Sequence, residues 1–227
     1  MKILAMDTAA AACSVAIWVE GTIVAHEFRA MARGHAAELL PMVDRLLQQT
    51  GMKIEDFDAL AVSVGPGAFT GLRIGLACAR GFGVASGLPV IAVTTLEALS
   101  EAVLDRDGPV LCALDAKRSD LYAQVFDAKG EPITDAVAKL PQDVVDMVDE
   151  SVTKVLVAGD CFERLKDLFG QKNIQAIQTE ALLPDAKYVA QIAAARGLPE
   201  EGEARPSAFY IRPPDAALPK NGGRLRP

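Results

Sequence analysis

The residues best suited to chemistry in this chain are one glycine-rich run and two strand-ending aspartates. Gly65-Pro66-Gly67-Ala68-Phe69-Thr70-Gly71-Leu72-Arg73 joins an apolar strand to an apolar helix. Such a loop can aim backbone N–H groups at an anion, because a helix N-terminus carries partial positive charge. It is not a Walker A loop, since no Lys-Ser/Thr follows its last glycine. Read from the residues alone, it is first a tight strand-to-helix connection and second an anion cradle. Asp7-Thr8 and Asp115 end apolar runs, where carboxylates can hold a magnesium-bound phosphate. Their plainer role is to accept hydrogen bonds from their own loops. Asp7 leads into Thr8-Ala9-Ala10-Ala11-Ala12, where a phosphate hairpin wants glycines, and this favours the plainer role. Asp7, Thr8, Gly65, Gly67, Thr70 and Asp115 together outline a vestigial nucleotide cleft.

Other catalytic constellations are missing. The two histidines, His26 and His35, lie nine residues apart on different elements, so no HxxxH or HExxH exists and no metal site is expected. No Ser, Thr or Cys has an evident neighbouring base. The cysteines Cys13, Cys78, Cys112 and Cys161 form no CxxC pair, which fits a reducing compartment. Cys78 reads as core rather than nucleophile.

The elements that must position these residues come in two similar sets. Ile3–Met6, Ser14–Val19 and Thr22–Ala25 read as three strands, with a turn at Glu20-Gly21. A helix from Gly34 to Thr50 follows, then a strand Ala59–Val64, a helix Phe69–Ser86, a strand Val90–Val93 and a helix from Thr94/Thr95 through Val103. Leu111-Cys112-Ala113-Leu114-Asp115 repeats the opening strand 108 positions on, and Leu121–Phe126, Gly130 and Val155–Gly159 continue the parallel. The same order of elements twice implies an internal duplication. Two β-β-β-α-β-α units side by side describe the ribonuclease-H-like α/β fold of the actin, Hsp70 and sugar-kinase class. Asp7 and Asp115 would then face each other across a cleft. The expected divisions are residues 1–104, 105–204 and a tail, 205–227.

One helix is unusual. Between Ala59 and Leu96 the only charges are Arg73 and Arg80. A helix apolar nearly all round must be covered on more than one side. Gly71, Gly75, Ala79 and Gly83 lie on one stripe, and each glycine costs about 1 kcal/mol relative to alanine. Close approach of another helix would offset that cost. The expected partner surface is therefore this stripe with Leu72 and Leu76, beside Leu39, Leu40, Val43, Leu46 and Leu47 of the preceding helix. A purely intramolecular position for the stripe weighs equally.

Composition narrows the classes. The chain has 227 residues, 51% hydrophobic and 23% charged, which excludes disorder. A net charge of −7 makes it a poor nucleic-acid binder by itself. The tail 205–227 is the exception, with five basic residues, one acidic residue and five prolines, and reads as a solvated, partly disordered arm. Asp7 interrupts the first apolar run, so neither a secretory signal nor a membrane span is expected, and the protein reads as cytoplasmic.

Several of these strings resemble the bacterial TsaB (YeaZ) family. They are Ile3–Thr8 with Cys13–Ala16, His35 with Glu38–Met42, Gly65–Gly75, Thr94–Leu99, Leu114–Arg118 with Leu121-Tyr122, and Pro206–Arg212. The resemblance is densest from residue 3 to about 126. It implies a non-catalytic subunit in synthesis of threonylcarbamoyladenosine, on the tRNA adenosine next to the anticodon. It further implies pairing through the N-terminal helices with a TsaD-like paralogue that holds the metal and the transfer chemistry. Self-association and a TsaE-like ATPase partner are implied too, with tRNA reached only through the complex. No cofactor is expected in this chain, and a nucleotide only in the complex. Ala68 and the alanine-rich 9–12 loop depart from the family pattern and weaken phosphate binding. The alternatives are a nucleotide-dependent phosphotransferase of the actin-like class and a glycoprotease-type peptidase, the latter lacking its HxxxH.

Overall fold

A computed structural model describes residues 1–200 and 205–212. Alternating and continuous apolar runs give two five-stranded sheets. The first comprises β1 (Lys2–Asp7), β2 (Ala12–Val19), β3 (Thr22–Ala30), β4 (Ala59–Ser63) and β5 (Val90–Val93), in the order β3-β2-β1-β4-β5. The second comprises β6 (Val110–Asp115), β7 (Leu121–Phe126), β8 (Val137–Lys139), β9 (Lys154–Ala158) and β10 (Gln175–Gln178), in the order β10-β9-β6-β7-β8. Read from the other edge, that is the first order again. In each sheet the first strand is antiparallel to the second and parallel to the fourth. The duplication is thus borne out in topology, and Asp7 and Asp115 end strands of separate sheets.

The helices are α1 (His35–Thr50), α2 (Phe69–Ser86), α3 (Thr95–Glu101), α4 (Pro141–Val145), α5 (Phe162–Gln171) and α6 (Ala186–Arg196). Leu39, Met42, Val43 and Leu46 turn one face of α1 onto the first sheet, where they meet Leu4, Val15 and Ile17. Gly51, in the left-handed region at φ 68°, ends that helix. Thr94 caps α3 in a reciprocal box with Glu97, which fixes where β5 stops. The α3 helix ends at Glu101, short of the expected Val103. Its Leu96 and Leu99 join Val103, Val110, Cys112, Leu114 and Phe126 in one cluster, which welds the lobes together.

Two expectations need correction. The stretch 105–204 was expected to stay with the second sheet. Instead α6 packs its Ala186, Val189, Ala190 and Ala193 onto Ile3, Ala5, Ala59 and Ala61 of the first sheet. The first sheet needs a cover on both faces, and α1 and α2 supply only one. Residues 205–212, expected in a solvated arm, lie on the first lobe: Ala208, half-buried, packs against its core and the Phe209 N–H donates to the Val64 carbonyl at 2.7 Å. The remaining tail, 213–227, and residues 201–204 lie outside the described residues.

Candidate functional site: an interlobe cleft and a groove between two helices

The β1 end is built from inward-facing polar groups. Thr8 Oγ1 donates to the Gly71 carbonyl at 2.7 Å and accepts from the Gly75 N–H at 3.1 Å. One hydroxyl thus staples the start of α2 to the first strand. The Ala68 N–H donates to the Ala9 carbonyl at 2.7 Å, closing the glycine-rich loop over the alanine loop. A Cβ on Gly67 would overlap the Ala9 carbonyl, and one on Gly71 the Thr8 carbonyl. These glycines therefore serve close packing within the lobe.

Asp7, just before this loop, is fully buried, with 0% exposure. Its Oδ1 accepts from the Ala9 N–H at 3.2 Å, whereas Oδ2 has no hydrogen-bond partner. Ser63 Oγ lies beside it, also buried, without a hydrogen bond of normal geometry. Burial pushes the Asp7 carboxyl up to about 6, against smaller opposing effects of the Ser63 hydroxyl and the Ala9 N–H.

The interlobe cleft holds about 520 Å³ and is walled by Ala9–Ala11, Gly67, Ala68, Thr70 and Ile74 on one side and by Leu114, Asp115, Lys117, Tyr122 and Asp160 on the other. Asp115 accepts from the Lys117 N–H at 2.8 Å and lies 3.4 Å from the Arg164 guanidinium. Of the six residues expected to outline a cleft, three line this one. Gly67, Thr70 and Asp115 line it. Asp7, Thr8 and Gly65 do not: the first two face into the core, and Gly65 sits under Phe209.

The partner surface needs a larger correction. The expected stripe faces inward. Gly75 rests against Thr8 and Val62, where a Cβ would stand 2.7 Å from Thr8 Oγ1, and Gly83 lies tightly against Leu88 and Val90. Leu39, Val43, Leu46, Leu72, Leu76 and Ala79 are core, and Leu47 packs on the core edge. The reason is that a sheet approaches glycine as closely as a partner helix would. Of the predicted residues, Leu40 faces outward, 55% exposed, and Leu39 reaches only the floor of the outward groove. The outward apolar surface is instead a groove of about 400 Å³ between α1 and α2, lined by Ala36, Leu39, Leu40, Ile74, Ala77, Cys78, Gly81 and Phe82. Its signal was present in the sequence, as the second apolar stripe Ile74, Ala77, Cys78 and Gly81 on the all-round apolar helix.

Among the described residues, no group of three or more His, Cys, Asp or Glu is placed to hold a metal ion. Burial pushes the Cys13 thiol up to about 12 and the Cys78 thiol to about 11, and raises Cys112 and Cys161 as well, so none is a thiolate at neutral pH. No described helix is long and apolar enough to cross a membrane.

Two lobes of one topology around a cleft, each with a first strand ending in a carboxylate, define the actin-like class of ribonuclease-H-like folds. Component A of (R)-2-hydroxyglutaryl-CoA dehydratase from Acidaminococcus fermentans shares that fold, with a TM-score of 0.55 at 12% identity over 86% of this chain and 98% of that one. The family model for TsaD, tRNA N6-adenosine threonylcarbamoyltransferase, matches residues 28–170. The tRNA threonylcarbamoyladenosine biosynthesis protein TsaB of Escherichia coli is 36% identical over 200 residues, 85% of this chain and 86% of that protein. A Pseudomonas aeruginosa protein described as similar to the peptidase YEAZ superposes with a TM-score of 0.77 at 31% identity, covering 93% of this chain and 99% of that one. The chain belongs to the TsaB (YeaZ) family.

Proposed function

We propose that this chain is a non-catalytic subunit that supports threonylcarbamoyl transfer to the anticodon-adjacent adenosine of tRNA, by docking on a TsaD-like paralogue through the groove between α1 and α2. The observation that carries this reading is the groove itself: an apolar surface, with Leu40 exposed, on a helix pair whose inner faces are covered by the first sheet. Apolar surface of this kind marks a binding site. The cleft supports the non-catalytic part. Asp7, at the position where this fold holds a metal-bound phosphate, is fully buried, and the thiols, Cys78 among them at the groove, are held protonated.

In this reading the paralogue holds the metal and performs the transfer. A TsaE-like ATPase joins the assembly, tRNA is reached through the complex, and any nucleotide binds there rather than in this chain. Self-association uses the same groove when the paralogue is absent, and the assembly works in the cytoplasm. The test replaces Leu40 and Ala77, which face outward, with aspartate. Sedimentation of the double variant with the TsaD-like paralogue should show association at least about tenfold weaker, with circular dichroism unchanged. Wild-type association by a folded double variant would refute docking through the groove.

A further inference from the structure

Residues 205–212 make contacts that a solvated arm does not. Ala208, half-buried, packs against the first lobe's core, and the Phe209 N–H is hydrogen-bonded to the carbonyl that follows β4. Gly65 beneath it, at φ 115°, leaves room only because it lacks a side chain, since a Cβ there would stand 2.7 Å from the Phe209 carbonyl oxygen. Tyr210 stacks on Phe69, the first residue of α2, with centroids 5.6 Å apart, and its hydroxyl accepts from Arg73 Nε at 3.3 Å. The Arg73 guanidinium lies 3.7 Å from the Phe69 ring centre. Two residues further on, Arg212 pairs with Asp120, in the β6–β7 loop of the other lobe. These two side chains are 28% and 16% exposed, so the pair is better shielded from water and salt than an ordinary surface bridge. The same loop carries Ala116 and Lys117 of the cleft wall.

We propose that this segment is a clasp: it holds the two lobes at one angle through the Arg212–Asp120 pair and transmits that angle to α2 through Tyr210, Phe69 and Arg73. The lobes are joined elsewhere by the apolar cluster around α3, which salt leaves intact. The clasp contact is ionic and breakable. Because α2 forms one wall of the docking groove, opening the clasp changes the groove; this second step rests on the docking reading above.

The experiment uses the full chain and hydrogen–deuterium exchange. Arg212→Ala and Asp120→Ala should each speed exchange about tenfold at the Phe209 amide and across residues 67–73, regions that Asp120 does not touch. The charge-swapped pair Arg212→Asp with Asp120→Arg should restore protection. Unchanged exchange in both single variants, or a swap that restores nothing, would overturn the clasp. In a separate arm, Arg212→Ala should alter affinity for the TsaD-like paralogue by several-fold, and an unaltered affinity would overturn the coupling to α2. If the wild-type chain does not associate at all, the docking reading fails while the exchange result still decides the clasp.

Discussion

Asp7 is a carboxylate held where ionisation is unfavourable. Unfolded, it ionises near 3.8; folded, burial moves this to about 6. Between these values the folded state keeps a proton that the unfolded chain has released. Its contribution to stability is therefore complete below about pH 4 and is lost as pH rises through about 6. The loss is on the order of 3 kcal/mol for a shift of this size. Asn keeps the acceptor for the Ala9 N–H, and its amide has the unpartnered Ser63 hydroxyl beside it. Asp7→Asn should thus stabilise the protein at about pH 7.5 and be near neutral at about pH 4, measured as urea midpoints. Equal shifts at both pH values would show that Asp7 does not titrate as argued. That Asp7 ends a strand was legible from Ile3–Asp7. That it is buried was not, because Ser63 and Asp185, which stand near it, come from remote parts of the chain.

At the scale of elements, α2 carries two apolar stripes, and the structure assigns them opposite roles. The glycine stripe lies on the sheet, and the Ile74–Cys78–Gly81 stripe lines the groove. The sequence shows both stripes but not which is covered, since a sheet and a partner helix ask the same of glycine. Two substitutions separate them. Gly75→Ala places a Cβ 2.7 Å from Thr8 Oγ1 and should cost about 1–3 kcal/mol by overpacking. Gly81→Ala meets nothing within 4 Å and should raise stability by up to about 1 kcal/mol through helix propensity alone. Thermal midpoints moving in opposite directions would confirm the assignment, and a stable Gly75→Ala would reverse it. Bounds of α1 and α2 were close to exact in the sequence because Gly51 and Gly87 stop both helices after long apolar periods.

For the whole molecule, stability should be shared between the lobes. The α6 helix follows the second sheet in the chain but covers the first, and α3 follows the first sheet but packs on β6. Val189→Ala, in the cluster with Ile3 and Ala59, should cost about 1–3 kcal/mol and lower the unfolding midpoint of both lobes together. Trp18, the only tryptophan, reports the first lobe by fluorescence, and circular dichroism reports both. Transitions that separate between the two probes would mean that the lobes unfold independently. The sequence by itself determined the strands β1–β7 and β9, the helices α1 and α2, the duplication and the family, because period, turn glycines and contiguous strings are local properties; β8 and β10, short and half-exposed, carried no such pattern. Only the tertiary structure decided that Asp7 is buried, that the glycine stripe faces the sheet, that α6 crosses back and that the tail bridges the lobes. Each of these depends on which surfaces meet across many residues, and a one-dimensional pattern shows that a face is apolar without showing what covers it.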